Sequence, residues 1–243
     1  MLTQARTLLT GGSGLLGTHL RRLMPDLDAP DEHVFNVTDP AGMDAYLEGR
    51  GHTAIIHAAA FTSPPLIEQE PAKALEVNIA GTVNVVRLCM ARGLRLVYIS
   101  TDYVFRGDQG NYKEDDPLYP VNKYAWSKLG GECAVRLYDN ALIIRTTFGP
   151  PAFPFPKAFV DQWTSRESVM VIAERIARVL QTDLTGVLHV GGPRKTVFDF
   201  ARNLDPDKAI GALHRNDVNF HVPADTSLDT GRYRREVGQG DTS

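Results

Sequence analysis

Tyr124 and Lys128 lie four residues apart in the segment NKYAWSKLGGE, where a helix is expected. On a helix they are about 5.4 Å apart along the axis and share one face. An ammonium beside a phenol favours the phenolate and lowers its pKa from about 10. A phenol tuned in this way can protonate a carbonyl oxygen while the carbonyl carbon accepts a hydride. Thr101 can offer a second hydroxyl to the same oxygen, although Tyr-x-x-x-Lys is also an ordinary helix pair.

The strand that must carry Thr101 is the apolar run from Leu94 to Ile99, rich in β-branched and aromatic residues. Such a run is typical of a strand buried on both faces of a parallel sheet. The expected strand ends at Ser100 and Thr101, so the threonine lies at its carboxyl end.

A glycine-rich turn near the N-terminus supplies the second half of this chemistry. Gly11, Gly14 and Gly17 follow the short strand Thr7 to Thr10 and open a helix, which is a variant of the dinucleotide fingerprint. The first glycine permits the turn, the second a close approach to a pyrophosphate, and the third close packing of helix on strand. The turn is predicted to bind the cofactor through Gly11, Ser13, Gly14, Leu15, Leu16 and Gly17. A structural turn without ligand is the alternative.

Further cofactor contacts are expected at other strand ends. Ala58, Ala59 and Ala60 end the strand AIIHAAA, and their small side chains leave room for a ligand. Asn36 and Val37 can border the adenine or be ordinary strand-end residues. Asn78, inside a predicted helix, is a candidate for positioning a water or Lys128, although such asparagines usually face solvent.

Other features of the same region remain open or structural. His57, within the apolar run, is expected to be a core histidine. The acid that would hold a ribose hydroxyl remains open among Asp28, Asp31 and Glu32. The sequence slightly favours NAD(H), but it leaves NAD(H) and NADP(H) both possible.

Composition excludes several classes of protein. With 26 basic and 29 acidic residues the formal charge is -3, and no basic cluster suits nucleic acid. The two cysteines, Cys89 and Cys133, indicate a reducing compartment. Seven histidines without metal-ligand spacing predict no metal site. No leader and no apolar run of about 18 residues is visible. A cytoplasmic protein without membrane contact is expected.

Strands and helices alternate from the start of the chain, which predicts an α/β fold of the Rossmann type: a doubly wound parallel sheet with helices on both faces. Expected strands are 7–10, 34–37, 54–60, 94–101, 139–147 and 186–191, and expected helices are 40–49, 70–93, 168–180 and 196–204. The tail 232–243 is expected to be frayed.

Four prolines, Pro150, Pro151, Pro154 and Pro156, mark a boundary that neither a helix nor a central strand crosses. We therefore expect a dinucleotide-binding domain over residues 1–150. Residues 151–243 are expected to form a small, shortened substrate-binding lobe that partly returns to the core. Residues predicted to lie near the substrate are Thr101, Phe105, Lys157, Gln162 and Trp163, although each of the last four can equally be packing or surface.

Together the motifs TGGSGLLG, IIHAAA, NIAGTVN, ISTDYVF, RTTFGP and VPADTSLDT, with the Tyr124 and Lys128 pair, resemble the extended short-chain dehydrogenase/reductase superfamily. More narrowly they resemble its dTDP-4-dehydrorhamnose reductase-like family. The resemblance covers nearly all of residues 5–150. It implies Thr101, Tyr124 and Lys128 as the catalytic set, with Lys128 also on the nicotinamide ribose, together with a pyridine nucleotide and a keto-sugar nucleotide as substrates.

This sequence departs from the family in two places. Only 94 residues follow Gly149, which shortens the substrate lobe and leaves open whether it still binds a nucleotide. Tyr103 stands two positions after Thr101, where related dehydratases have an acidic residue for elimination, and this favours reduction. The alternatives are a non-catalytic regulatory subunit of the methionine adenosyltransferase type and an NAD-dependent sugar-nucleotide epimerase or dehydratase. A homodimer is possible.

Overall fold

The computed structural model describes residues 3 to 238. The strands are β1 (Thr7–Thr10), β2 (Ala54–His57), β3 (Arg95–Thr101), β4 (Ala141–Thr146), β5 (Phe148–Gly149), β6 (Lys157–Phe159), β7 (Trp163–Thr164), β8 (Glu167–Ser168), β9 (Gly186–Val190), β10 (Lys195–Thr196) and β11 (Gly211–Leu213). The α-helices are α1 (Leu15–Leu23), α2 (Pro40–Leu47), α3 (Pro64–Gln69), α4 (Pro71–Ala74), α5 (Thr82–Arg92), α6 (Lys123–Val135), α7 (Val169–Val179), α8 (Val197–Leu204) and α9 (Gly231–Glu236).

The central sheet has five parallel strands in the order β1-β2-β3-β4-β9. Every residue of β1, β2, β3 and β4 is buried, because helices cover both faces of the sheet. One core cluster joins the sheet to α1 and α7, and the other joins it to α2, α5 and α6. The predicted doubly wound α/β fold is confirmed.

The segment between α1 and α2 differs from the prediction. The strand expected at 34–37 is wrong, because the amides of Val34 and Phe35 both donate to the carbonyl of Asp31 and form a local turn. The Asn36 side chain accepts from the amide of Thr38 and continues this turn. In the segment between α1 and α2 the strand pairing consists of a single bridge, from Asp28 to Leu8 of β1.

The helix expected over 70–93 is continuous but not regular. It consists of α4, a π-helical segment Leu75–Gly81, and α5, and it ends at Gly93 with a left-handed φ of 65°. The run Pro71–Arg92 is long and apolar enough to cross a membrane by length and composition. Its buried face belongs to the core beside the sheet, so this is weak evidence for a membrane span.

The chain beyond Pro150 forms short paired strands and also contributes to the central layers. β5 pairs with β8, β6 with β11, and β7 with β10, while β9 is an edge strand of the central sheet. The tail expected to be frayed is helical as far as Glu236, because Tyr233 inserts into the core cluster of the sheet. The rest of that prediction, over 239–243, lies outside the described residues. The division into two lobes stays a prediction.

Candidate active site

A cavity of about 1280 Å³ opens at the carboxyl ends of the strands. This volume exceeds the roughly 300–1,000 Å³ of most small-molecule sites and can hold a dinucleotide with a second ligand. The wall includes strand-end residues of β1, β3 and β4 and residues just after β2, the position at which open α/β sheets bind ligands. Predicted cofactor residues on this wall are Gly11, Ser13, Gly14, Leu15, Leu16, Gly17, Asn36, Val37, Ala58, Ala59, Ala60, Tyr124 and Lys128.

The glycine turn has the form that a pyrophosphate requires. Gly11 has a left-handed φ of 73°, and a Cβ there would lie 2.7 Å from the amide nitrogen of Ala59. A Cβ on Gly17 would lie 2.1 Å from the carbonyl oxygen of Gly11. Helix α1 begins after Gly14 without a side-chain cap, so its first amides are available to an anion. These residues therefore fit a dinucleotide.

Asn78 is not on the cavity wall, which corrects the prediction of direct cofactor binding. Its Oδ1 accepts from the amide of Phe61 at 2.7 Å, and its Nδ2 donates to the Phe61 carbonyl and to Ser127 Oγ, both at 2.8 Å. All three hydrogen bonds are internal, because the π-helical segment turns Asn78 towards α6. Asn78 thus ties the loop after β2 to the helix that carries Tyr124 and Lys128.

The acidic residues that were candidates for binding a ribose hydroxyl lie at different places in the structure. Asp28 accepts from Tyr46 at 2.8 Å and contacts His52 Nε2 at 2.9 Å, on the far side of the turn. Glu32 lies on the cavity wall together with His33. Of the three candidates, only Glu32 is placed where it can meet the adenosine half of a dinucleotide.

Thr101, Tyr124 and Lys128 meet on the cavity wall, as the strand end and the helix spacing predict. Asn122 caps α6, with its Oδ1 accepting from the amide of Ala125 at 2.8 Å, and this fixes where the helix begins. Burial raises the pKa of Tyr124, and a hydrogen bond with Thr101 only partly opposes the effect. The expected lowering of this pKa is therefore wrong for the protein without ligands, because desolvation dominates.

Lys128 is a buried part of the cavity wall, and its side chain faces the sheet. Its Nζ donates to the carbonyl of Ile99 at 2.8 Å and lies 4.2 Å from the centroid of the Tyr98 ring. Burial lowers the pKa of Lys128 to about 7, although the nearby Glu132 opposes the shift. The amine can therefore gain or lose its charge near neutral pH.

A buried ion pair lies behind Lys128. Glu132 on α6 and Arg145 on β4 have side chains with no exposed surface and are joined at 2.6 Å. Ser100 Oγ donates to the same carboxylate at 2.9 Å. Burial raises the pKa of Glu132, but the hydrogen bond and charge of Arg145 outweigh it, so the pKa is lowered. Through Glu132, α6 is fixed to the neighbouring strands β3 and β4.

His57 is fully buried, which confirms the expectation of a core histidine. Thr82 Oγ1 donates to the carbonyl of Asn78, so it must accept from His57 Nε2, 3.0 Å away. His57 Nδ1 then accepts from the Thr10 hydroxyl at 2.8 Å. Burial, followed by the charge of Lys128, lowers the pKa of His57 to about 3. The ring is therefore neutral.

The predicted substrate residues, Thr101 aside, do not line the cavity. Phe105 is wrong as a substrate contact, because it is fully buried and stacks on Tyr112 with centroids 4.4 Å apart. Lys157 is exposed at the start of β6, and Gln162 is buried. The Trp163 ring is covered by the guanidinium of Arg194 at 3.8 Å.

The cavity wall also has residues that the sequence did not predict, and these include Asp102, Tyr103, Thr146, Thr147, Phe148 and Arg166. Asp102 and Tyr103 could have been predicted, since they directly follow Thr101 in the sequence. No local sequence pattern predicts Arg166, because only the pairing of β8 with β5 brings it to the wall. Among residues 3–238 no group of three histidine, cysteine or acidic side chains has the geometry of a metal site.

Comparison with known protein families agrees with the geometry of the site. The family model described as RmlD substrate binding domain matches residues 5–210. The chain belongs to this family. The predicted resemblance to the dTDP-4-dehydrorhamnose reductase-like family is thereby confirmed.

Individual reductases are also similar to this chain, in sequence and in structure. The chain is 31% identical over 220 residues to a dTDP-4-keto-6-deoxy-D-glucose reductase of Streptomyces niveus, covering 81% of this chain and 76% of that one. The crystal structure of dTDP-4-dehydrorhamnose reductase from Bacillus anthracis in complex with NADP has a TM-score of 0.86 and 25% identity, covering 96% of this chain and 93% of that one. The prediction of a NAD(P)-dependent oxidoreductase is confirmed at the level of the family.

A regulatory protein is also similar to part of the chain. Methionine adenosyltransferase 2 subunit beta of Xenopus laevis is 33% identical over 155 residues. The match covers 58% of this chain and 46% of that protein. A reductase and a regulatory subunit, the two kinds of protein named in the sequence analysis, are therefore both similar to this chain, and the match to the reductase covers more of it.

Proposed function

We propose that the protein reduces the carbonyl of a 4-keto nucleotide sugar with NADPH or NADH, with Tyr124 as the proton donor. The observation that carries this proposal is that Tyr124, Lys128 and Thr101 meet on the wall of the cavity that also contains the glycine turn. Bound at that turn, the dinucleotide supplies the hydride. The similarity to dTDP-sugar reductases supports a nucleotide sugar as the acceptor.

In the proposed mechanism the acceptor oxygen approaches Tyr124 and Thr101. The Tyr124 hydroxyl donates its proton to that oxygen, and the Thr101 hydroxyl orients it by a second hydrogen bond. The raised pKa of Tyr124 keeps the proton on the phenol until the acceptor oxygen gains charge. Lys128 lies beneath this site, and its ammonium form stabilises the phenolate left on Tyr124.

We further propose that residues 151–243 include the shortened substrate-binding lobe and partly return to the core, as β9 and α7 do. Its contribution to the cavity wall comes from Arg166. The possible homodimer and the cytoplasmic location also remain proposals. The cytoplasmic location is supported by the low cysteine content of the chain.

Replacement of one hydroxyl tests the reduction. Tyr124→Phe removes the proton donor and keeps the ring, so kcat with NADPH and a dTDP-4-keto-6-deoxy sugar should fall by about 10²- to 10⁴-fold. NADPH affinity, measured by fluorescence titration, should stay within about twofold. Tyr119→Phe is the matched control, because Tyr119 is 59% exposed and outside the cavity wall. Full activity in Tyr124→Phe would remove the acid from the mechanism.

The regulatory alternative rests on the similarity to the methionine adenosyltransferase subunit. It predicts dinucleotide binding, no turnover of any 4-keto sugar nucleotide, and a change in the kinetics of methionine adenosyltransferase on mixing.

The epimerase or dehydratase alternative predicts protein that is purified with tightly held NAD. Tyr103, in place of an acidic residue two positions after Thr101, favours reduction over elimination.

A further inference from the structure

Asp102 is a carboxyl group on the cavity wall that the proposed mechanism does not use. It directly follows Thr101, at the point where β3 ends and a short 3₁₀ turn, Asp102–Val104, begins. Only 3% of Asp102 is exposed. Because a charged carboxylate is costly in such a position, the protonation state of Asp102 matters for the groups that it contacts.

Both carboxyl oxygens of Asp102 contact a threonine hydroxyl. Oδ2 lies 2.7 Å from Thr226 Oγ1, and Oδ1 lies 3.2 Å from Thr101 Oγ1. Thr226 is 124 residues further along the chain, and its amide donates to the carbonyl of Trp163 at 3.1 Å. The carboxyl group of Asp102 therefore connects the C-terminal segment to the threonine of the predicted catalytic set.

The Thr101 hydroxyl has a single proton, and its direction depends on Asp102. The Thr101 oxygen already accepts from the amide of Tyr103 at 3.2 Å. If Asp102 is a carboxylate, the Thr101 proton points to Asp102 Oδ1 and is lost to the acceptor oxygen. If Oδ1 carries a proton, Asp102 donates to Thr101, and the Thr101 proton is available to the acceptor. The role of Thr101 in the proposed reduction requires the second arrangement.

The groups around Asp102 favour its protonated form. Burial raises the pKa of Asp102, and the opposing hydrogen bonds and the positive charge of Arg166 only partly offset this effect. Tyr103 and Tyr124 are uncharged phenols whose pKa values burial raises. In the C-terminal segment, Asp225 has its own arginine partner at 2.7 Å. Desolvation is therefore the dominant influence, and it favours a neutral carboxyl group.

We propose that Asp102 is a positioning residue that holds a proton on Oδ1 and so directs the Thr101 hydroxyl to the acceptor oxygen. Thr226 donates to Oδ2, which leaves Oδ1 to carry the proton. The acceptor oxygen then meets the end of a chain of hydrogen bonds in which each donor is polarised by the one behind it. The proton of Asp102 is not consumed, because Tyr124 supplies the proton of the reduction. This inference rests on the proposed reductase function and adds a residue that acts through Thr101.

Infrared difference spectroscopy tests the protonation state without turnover. The spectrum of wild type minus that of Asp102→Asn at pH 7 should contain the carbonyl band of a carboxylic acid, shifted in deuterium oxide. The two bands of a carboxylate in place of the acid band would overturn the proposal. Because no acceptor has to be reduced, a failure of this inference is distinguished from a failure of the proposed function.

Kinetics with NADPH and a dTDP-4-keto-6-deoxy sugar test the effect on the reaction. Asp102→Asn keeps an N–H donor towards Thr101 and a carbonyl towards Thr226, so kcat should stay within about threefold of wild type. Asp102→Ala removes the donor, so kcat should fall about 5- to 30-fold with NADPH affinity unchanged. Thr226→Val should also lower kcat, and Thr226→Ser should restore it. An unchanged kcat in both Asp102→Ala and Thr226→Val would overturn the proposal.

A Thr101→Val background separates positioning from a general loss of structure. In that background Asp102→Ala and Thr226→Val should no longer lower kcat, because no Thr101 hydroxyl remains to be directed. Losses that persist in full would overturn the path through Thr101, and so would an Asp102→Asn protein as slow as Asp102→Ala. Asp115→Asn, which changes an exposed acid outside the cavity wall, is the matched control and should leave kcat unchanged. Thermal midpoints confirm that the variants are folded, and Thr226→Val carries the same test if Asp102→Ala does not fold.

Discussion

Removal of the buried carboxylate behind Lys128 should both destabilise the protein and alter its activity. Glu132 and Arg145 have no exposed side-chain surface, and two nitrogens of Arg145 donate to Glu132 at 2.6 and 3.2 Å. In Glu132→Gln the guanidinium stays charged in the core without its counter-ion, and its acceptors are the neutral amide oxygen of the new side chain, the Glu114 carbonyl and the His189 ring. Breaking one partner of such a pair costs about 3 to 5 kcal/mol of the free energy of unfolding.

Urea denaturation followed by circular dichroism measures this cost. With an m value of about 3 kcal/mol per molar, a loss of about 3 to 5 kcal/mol lowers the midpoint by about 1 to 1.7 M. Arg145→Met leaves Glu132 with Ser100 and Arg136, so its cost should lie at the lower end of this range. Removal of both partners also removes the unpaired charge. The double variant should therefore be at least about 2 kcal/mol more stable than the sum of the single changes predicts. Strict additivity would refute the argument.

The loss of stability in Glu132→Gln should depend on pH in one direction only. The pKa of Glu132 in the folded protein is lowered from its usual 4.5, so the pair contributes its full stability above that value. The contribution is lost as pH falls through the lowered pKa. The midpoint difference between wild type and Glu132→Gln should therefore be complete at pH 7 and shrink below about pH 4.5. A difference that grows in acid would contradict the assignment.

The same variant should move the pH profile of the reduction. The charge of Glu132 raises the pKa of Lys128, which burial has lowered to about 7. Without that charge the ammonium form of Lys128 is lost at lower pH. The alkaline limb of kcat/KM should therefore shift towards acid in Glu132→Gln. Stopped assays across pH 5 to 9 measure this shift. An unchanged NADPH affinity in the variant over the same range shows that the shift is not caused by a loss of folded protein.

Three further outcomes follow from the site. Gly17→Ala places a Cβ 2.1 Å from the Gly11 carbonyl oxygen, so the turn must shift and NADPH affinity, measured by fluorescence, should fall by at least about tenfold. Asn78→Ala leaves both backbone groups of Phe61 unpaired and should lower the free energy of unfolding by about 1 to 3 kcal/mol in urea titrations. Folding lowers the pKa of Lys128 from 10.5 to about 7, so below pH 7 the folded protein must bury an ammonium group. Lys128→Met removes this charge and should increase the free energy of unfolding most below pH 7. Above pH 7 the increase should shrink by up to about 1.4 kcal/mol per pH unit, as urea titrations at several pH values would show.

Local patterns were sufficient to predict the dinucleotide half of the molecule. The short apolar runs in TLLT, AIIH and LVYIS are typical of parallel strands, because helices cover both faces of such strands. The glycine spacing predicts the turn because its backbone contacts are too close for a Cβ. The strand predicted at 34–37 was wrong, because a short apolar segment does not show whether the backbone amides bond to a neighbouring strand or, as here, to the carbonyl of Asp31.

The sequence by itself determined the parallel fold, the glycine turn and the residues that meet at the strand ends. These depend on periodicity and on backbone chemistry over fewer than about ten neighbouring residues. Only the tertiary structure decided that the pKa of Tyr124 is raised, that Phe105 is core and that Arg166 reaches the cavity. Burial and pairing between segments distant in sequence set each of these, and no local pattern encodes how much water is excluded or which strand ends are brought together.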